Sequence, residues 1–315
     1  MTNTARTPAS VAYLGPPGTF TEEALLTQPD LAAADHRLCR SIPEVLEYAT
    51  DGRVDWGFTA IENSIEGTVN VALDALIFEH NLLIQREVVI DIRLHLLGLP
   101  GATIDRIGRI FSFPVATAQC RRYLNKHFPH ADEAAANSTA AAVRDLADSH
   151  DPTSAAIGTA LSQKLYGLEL LATDIEDHPD NQTRFVAVAP TGVPAPTGHD
   201  KTSIVVFQRS DRSGSLMGIL AEFAARSINL TKLESRPTKK ALGDYCFLID
   251  LEGHVADPLV SDCLTSIVAK HGEVKFLGSY PTSTRGHDDQ TAAVASAWAD
   301  AQRWIEELHR QVDRP

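Results

Sequence analysis

Asp180-Asn181-Gln182-Thr183-Arg184-Phe185 runs straight into the apolar stretch Phe185-Val186-Ala187-Val188-Ala189, and the proline- and glycine-rich segment Pro190–Asp200 follows. An amide- and charge-rich turn entering an apolar run predicts a strand that holds its polar entry residues rigidly. Three prolines and two glycines after it predict a linker over 191–201, so the chain divides there. The hydrophobic pattern differs on the two sides, and that difference sets the fold class.

Upstream, Val11–Leu14 reads as a short buried strand, followed by Gly15-Pro16-Pro17-Gly18 and a helix capped by Thr19 or Thr21. Strands are predicted over Trp56–Ile61, Leu82–Val89, Arg109–Phe113 and Ala155–Gly158. Helices are predicted over Pro43–Thr50, Val71–Phe78, Ala116–Phe128, Thr139–Ala147 and Thr159–Tyr166. The alternation implies an α/β fold with a mostly parallel sheet. The strands around Leu82–Val89 and Ile92–Gly98 read as a pair. An economical arrangement has two lobes, residues 11–92 with 174–190, and 93–173. The Asp180–Phe185 stretch then lies at the hinge, where clefts bind small ligands.

Downstream the order is βαββαβ over 202–281. Thr202–Phe207, Leu230–Glu234, Tyr245–Leu251 and Val274–Leu277 supply the strands. Leu216, Ile219, Leu220 and Phe223, then Leu259, Cys263 and Ile267, supply the helical stripes. This is a ferredoxin-like unit. Val294, Trp298, Ala301, Ile305, Leu308 and Val312 predict a C-terminal helix over 288–312, and residues 1–10 read as a flexible tail.

A 315-residue chain with 43% apolar and 22% charged residues has the composition of a soluble multi-domain protein. Its formal charge of −13 argues against nucleic acid or an anionic membrane as partner, though not against an anionic substrate met by local donors. The four cysteines are scattered without a C-x-x-C pair, and no apolar signal core or long apolar span occurs. A cytoplasmic protein without a metal site is expected.

Gly15-Pro16-Pro17-Gly18-Thr19-Phe20 joins a strand to a helix and offers backbone amides to an anion, or is a plain turn. Glu62-Asn63-Ser64-Ile65-Glu66-Gly67 follows an apolar strand and reads equally as ligand groups at a strand end or as a capping turn. Ser112 and Gln119 bracket a strand-to-helix turn and pose the same choice. Ser138 and Thr139 most simply cap a helix. No Ser-His-Asp order or pair of catalytic carboxylates stands out. Thr, Asn, Ser, Gln and Arg groups fix geometry but are poor bases. The chemistry they suit is one the substrate is predisposed to undergo.

Gly15-Pro16-x-Gly18-Thr19-Phe20, Glu62-Asn63-Ser64-Ile65-Glu66-Gly67, Asn181-x-Thr183-Arg184-Phe185 and Glu234-Ser235-Arg236-Pro237 occur in that order. Together they resemble the prephenate dehydratase family, with its C-terminal ACT regulatory domain, over residues 11–281. No stretch is left for a chorismate mutase domain, so the monofunctional form is expected. The resemblance implies a two-lobed, periplasmic-binding-protein-like catalytic module over 11–190 and a ferredoxin-like ACT domain over 202–281.

The activity so implied is decarboxylating dehydration of prephenate to phenylpyruvate in phenylalanine biosynthesis, with no cofactor, in a homodimer or homotetramer regulated by phenylalanine. It implies Thr183 as the essential group, with Glu62, Asn63, Ser112 and Gln119 as further catalytic candidates. Thr19, Ser64, Asn181, Arg184 and Phe185 are cleft or support candidates. In a regular strand Thr183 and Phe185 face one way and Arg184 the other. For phenylalanine it implies Gly214, Leu216, Met217, Asn229, Leu230, Glu234, Ser235 and Arg236.

Two departures stand out. Ser112-Phe113-Pro114-Val115 replaces the Ser-His-Pro-Gln of many members, and Gly214-Ser215-Leu216-Met217 replaces Gly-Ala-Leu-Val. The alternatives are a non-catalytic two-lobed sensor of aromatic amino acids or carboxylates, and an ACT-regulated transcription factor. The net charge counts against the latter.

Overall fold

The computed structural model describes residues 7–209, 212–283, 298, 303–305 and 307–311. The described residues divide into two compact units: 7–80 together with Val88–Val188, and Asn81–Glu87 together with those from Ala189 onward.

The first unit opens with strand β1 (Ser10–Leu14), helices α1 (Phe20–Leu26) and α2 (Pro29–Ala32), strand β2 (Asp35–Cys39) and helix α3 (Ile42–Thr50). Next come β3 (Trp56–Asn63), β4 (Gly67–Thr68), α4 (Asn70–Asp74) and β5 (Leu83–Asp91); of β5 only the part from Val88 belongs to this unit. The return strand β11 (Gln182–Ala189) completes a sheet of order β2-β1-β3-β11-β5, with β4 on β3. β1 runs parallel to β2 and β3, whereas β11 is antiparallel to β3.

The second sheet is built from β6 (His95–Gly98), β7 (Arg109–Ser112), β8 (Asp132–Ala135), β9 (Ser154–Gly158) and β10 (Glu169–Ala172), in the order β10-β6-β9-β7-β8. β7 is parallel to β8 and β9, while β6 is antiparallel to β9 and β10. Both sheets are therefore mixed rather than mostly parallel, because each takes in a strand next to the crossover between lobes. β5 and β6, expected as a pair, go to different sheets. The crossing segments lie side by side instead: Ile92 N–H donates to Asn181 O (2.7 Å) and Ile175 N–H to Leu94 O (2.9 Å). Arg93 pairs with Glu176 at 3.1 Å, and Glu176 also accepts from Leu94 N–H.

Helices α5 (Pro114–Gln119), α6 (Arg121–His127), α7 (Thr139–Ser149) and α8 (Ala160–Tyr166) flank the second sheet. The single helix expected over Ala116–Phe128 breaks at Cys120. Asp177 causes the break: its N–H donates to Gln119 O (2.6 Å), and its carboxylate accepts from Arg122 N–H (3.1 Å). An outside residue thus ends one helix and caps the next. The helix expected over Val71–Phe78 passes after α4 into a π-turn, Ala75–Glu79, closed by His80 N–H on Ala75 O. Ala9 and Ser10, expected in the tail, are fixed: their N–H groups donate to Asp55 Oδ2 at 2.7 and 3.1 Å, and Ser10 begins β1.

The C-terminal unit contains β12 (Asp200–Gln208), α9 (Ser215–Ala224), β13 (Leu230–Pro237), β14 (Tyr245–Glu252), α10 (Pro258–Lys270) and β15 (Gly272–Pro281). Its sheet order β13-β14-β12-β15, antiparallel throughout, is the ferredoxin-like arrangement. Ile204, Val206, Ile249 and Leu251 from the sheet pack on Ile219, Phe223, Val260 and Ile267 from the helices.

Asn81–Glu87, expected with the first lobe, clusters with this unit for a polar reason. Buried Glu87 accepts from Lys201 Nζ (2.9 Å), Thr282 Oγ1 (2.7 Å) and Ser283 N–H (2.8 Å). Gly278, at φ +139°, lets the β15 backbone rest on Ile84, where a Cβ would meet Ile84 O at 2.6 Å. The helix expected over 288–312 lies largely outside the described residues; those described within it are helical. Among the described residues no helix is long and apolar enough to cross a membrane.

Candidate active site

Three segments of the first unit meet at the hinge: the end of β3 with the turn to β4, the C-terminus of α5, and the entry to β11. Pairing of β11 with β3 sets Thr183 opposite Asn63 and Arg184 opposite Glu62. The register then slips, so that Phe185 faces Ala60 and Ile61 is the extra residue. The bulge bends β3 just before its polar end, Glu62 and Asn63.

Asn63 is the centre of the arrangement. Its Oδ1 accepts from the N–H groups of Ile65 and Glu66, both at 2.9 Å, which fixes the amide with its nitrogen toward β11. Nδ2 donates to Thr183 Oγ1 (2.8 Å), Asn181 Oδ1 (2.9 Å) and Gln182 O (3.1 Å), two N–H bonds shared among three acceptors. Ser64 Oγ donates to Asn181 Oδ1 (3.3 Å) and accepts from Gln182 N–H (2.9 Å). Asn181, 1% exposed, donates from Nδ2 to Gln119 Oε1 (3.2 Å), and Gln119 Nε2 donates to Glu66 Oε1 (3.3 Å). The Asn63 amide that would merely cap a turn therefore also reaches across to the return strand.

Of the residues singled out from sequence, the fold gathers Asn63, Ser64, Gln119, Asn181 and Thr183 into one bonded cluster. Glu62 lies beside Arg184, carboxylate to guanidinium 3.5 Å, on the neighbouring register position. Phe185 is 1% exposed and stacks on Phe58 with ring centres 5.6 Å apart, so it packs in the sheet core beneath the cluster. Ser112 is buried at the end of β7 and donates to Phe113 O (3.1 Å), with no bond to the cluster. Thr19 caps α1, accepting from Glu22 N–H at 3.4 Å.

The Gly15–Phe20 loop carries its own anion. Glu22 Oε2 accepts from Gly18 N–H (2.5 Å), and Glu22 Oε1 accepts from Tyr13 Oη (2.9 Å). The Gly18 amide is therefore already engaged by the chain's own carboxylate. Burial and the Glu22 bond push the Tyr13 hydroxyl well above its ordinary range, so it stays a neutral donor. Gly18 O in turn accepts from Thr159 Oγ1 (2.9 Å) at the start of α8, a direct tie between the lobes.

Two features were missed in the sequence. The Glu62–Gly67 stretch reads from sequence as ligand groups or a capping turn without singling out Glu66, and Thr159 reads only as a helix start; both gain partners from the other lobe, which no local pattern signals. All four cysteines are free and buried, and burial raises the Cys120 thiol far above its ordinary value, so it is inert. Among the described residues no three His, Cys, Asp or Glu side chains converge as a metal site requires.

In the C-terminal unit a cavity of about 330 Å³ opens at the start of α9. It is lined by Gly214, Ser215, Leu216, Met217, Leu220 and Phe247, with Gln208 and Arg212. Gly214, Leu216 and Met217 thus come together. Leu230, Glu234, Ser235 and Arg236 lie on the edge strand β13, with Asn229 just before it, and none of them lines this cavity. Glu234 there pairs with Arg236 (3.2 Å) and Lys232 (3.6 Å).

Comparison with known proteins fits this arrangement. A prephenate dehydratase of Mycolicibacterium vanbaalenii is 38% identical over 95% of this chain and 97% of its own length. The crystal structure of a prephenate dehydratase from Arthrobacter aurescens in complex with L-Phe has a TM-score of 0.84 and 38% identity, covering 96% of this chain and 99% of that one. A structure of GqqA, described as a novel type of quorum quenching acylase, has a TM-score of 0.78 and 29% identity, covering 87% and 98%. Residues 11–192 match the family described as prephenate dehydratase, and the chain belongs to that family.

Proposed function

We infer that the protein converts prephenate to phenylpyruvate with loss of carbon dioxide and water, and that its ferredoxin-like domain takes L-phenylalanine as an effector. The observation that carries the first part is the bond from Asn63 Nδ2 to Thr183 Oγ1. A hydroxyl that accepts from an amide N–H on one side keeps its own proton for the other. Thr183 is thereby poised to donate to an oxygen in the cleft.

Prephenate is a dianion with one carboxylate on the ring and a hydroxyl across from it. The bond from the ring to that carboxylate breaks and carbon dioxide departs. The electron pair enters the ring, aromatisation follows, and the opposite C–O bond breaks with its pair going to oxygen. A threonine hydroxyl is too weak an acid to protonate this oxygen outright, so solvent completes the water. Thr183 stabilises the developing charge by its hydrogen bond, the kind of contribution that pre-oriented donors make. Asn63 and Asn181 hold Thr183 and the Gln119 amide in place, and Arg184 is held by Glu62. No histidine takes part, in keeping with Phe113 at the position where many family members carry one.

The effector reading is supported by the L-Phe held by the Arthrobacter aurescens relative. It is supported too by the apolar cavity bounded by Leu216, Met217 and Phe247, in which Met217 can adapt to a ring. A homodimer or homotetramer acting in the cytoplasm belongs to the same reading. The net charge of −13 keeps nucleic acid out of it.

The test uses the full chain with prephenate at neutral pH, phenylpyruvate being read by its absorbance in alkali, with and without L-phenylalanine. Steady product formation that changes on adding L-phenylalanine is expected. Binding of the effector without any product would favour a non-catalytic sensor. Turnover indifferent to L-phenylalanine would remove the effector assignment.

A further inference from the structure

We propose that Glu66 is a positioning residue for this reaction, the terminal acceptor of a one-way chain of side-chain amides that starts at Asn63, the donor to Thr183. The proposal rests on the dehydratase reading and adds to it a residue outside the reacting groups.

The direction of the chain is set by chemistry at both ends. A primary amide presents an acceptor at one end and donors at the other. The N–H groups of Ile65 and Glu66 can only donate, so they hold the oxygen of Asn63 and turn its nitrogen toward Thr183 and Asn181. Asn181 must then offer its oxygen to Asn63, which leaves its nitrogen for Gln119. Gln119 must offer its oxygen to Asn181, which leaves its own nitrogen facing outward. There it meets Glu66 Oε1 at 3.3 Å, and an ionised carboxylate only accepts.

Every link is thus satisfied in one direction, and a reversal at any point would set donor against donor. Glu66 comes from the β3–β4 turn of one lobe, Gln119 from α5 of the other, and Asn181 from the returning crossover. The bond from Gln119 to Glu66 closes the chain across the cleft. This placement is costly for binding, since a carboxylate near the cleft repels a dianionic substrate. That cost makes the proposal testable, because a role in charge alone and a role in orientation predict opposite results.

The experiment measures kcat and KM for prephenate in the full chain carrying Glu66→Ala, Glu66→Gln, Glu66→Lys, Gln119→Ala or Glu66→Ala with Gln119→Ala. Glu66→Ala is expected to lower kcat about tenfold, the size of one hydrogen bond, without raising KM. Glu66→Gln, whose carbonyl oxygen still accepts, should recover most of the loss. Glu66→Lys, which can only donate, should have the lowest kcat of the three while binding the dianion at least as well. The double variant should be no slower than Gln119→Ala alone.

Wild-type kcat in all three Glu66 variants, or kcat/KM rising as the negative charge is removed and then reversed, would overturn the proposal. A readout independent of turnover is exchange of the Gln119 side-chain amide protons with solvent, followed by NMR. It should quicken in Glu66→Ala and Glu66→Lys but not in Glu66→Gln, and unchanged exchange in all three would overturn the proposal as well. This exchange pattern across the variants, together with a wild type that makes no phenylpyruvate, would sink the dehydratase reading alone.

Discussion

A threonine hydroxyl has one proton and two lone pairs, and what it does depends on which of these its neighbours engage. In this chain Asn63 engages a lone pair of Thr183 at 2.8 Å, and two backbone N–H groups prevent the Asn63 amide from turning over. Asn63→Asp tests this with little change in shape. The aspartate would still accept from Ile65 and Glu66, but it has no N–H for Thr183, whose proton would turn toward the carboxylate and away from substrate. Turnover should fall by about 10²-fold, the loss typical of a misdirected transition-state donor, and KM should rise from the added charge. Steady-state kinetics at neutral pH checks it, and wild-type kcat in that variant would contradict it. At this scale the sequence was partly legible. The family resemblance pointed to Thr183, Asn63 and Asn181, where residue type and strand entry alone left an ordinary junction and a capping turn open, whereas Glu66 was masked by its fit to a capping turn.

Among the elements, the Gly15–Phe20 turn is tied directly to the start of α8 in the other lobe. Gly18 has φ +89°, and a Cβ there would lie 2.9 Å from Ser162 Cβ. Gly18→Ala should therefore destabilise the protein by about 1–3 kcal/mol, from backbone strain together with the clash, and should raise KM by displacing α8. Denaturant unfolding and steady-state kinetics measure the two effects; unchanged stability with unchanged KM would contradict the account. Most elements could be read from periodicity because helix and strand periods are local properties. The break between α5 and α6 could not, since Asp177 causes it from far along the chain. Nor could the slip between β11 and β3, because a bulge leaves no period of its own.

For the whole molecule, the βαββαβ order after the linker was open to sequence reading, each element announcing itself in turn. The division of the first part into two mixed sheets was less so. Strands β5 and β6 follow each other closely yet serve different lobes, and pairing order is a tertiary choice. The same holds for Asn81–Glu87, drawn to the C-terminal unit by the buried Glu87 carboxylate and its bonds to Lys201, Thr282 and Ser283. The central claim is that this chain dehydrates prephenate through the Thr183 hydroxyl. It is tested most directly by prephenate turnover in the full chain carrying Thr183→Ala, with thermal unfolding followed in parallel. The account predicts native-like unfolding, because Asn63 keeps Asn181 and Gln182 O as acceptors. It also predicts a kcat lower by about 10²–10³-fold or more. Wild-type turnover in that variant would contradict it.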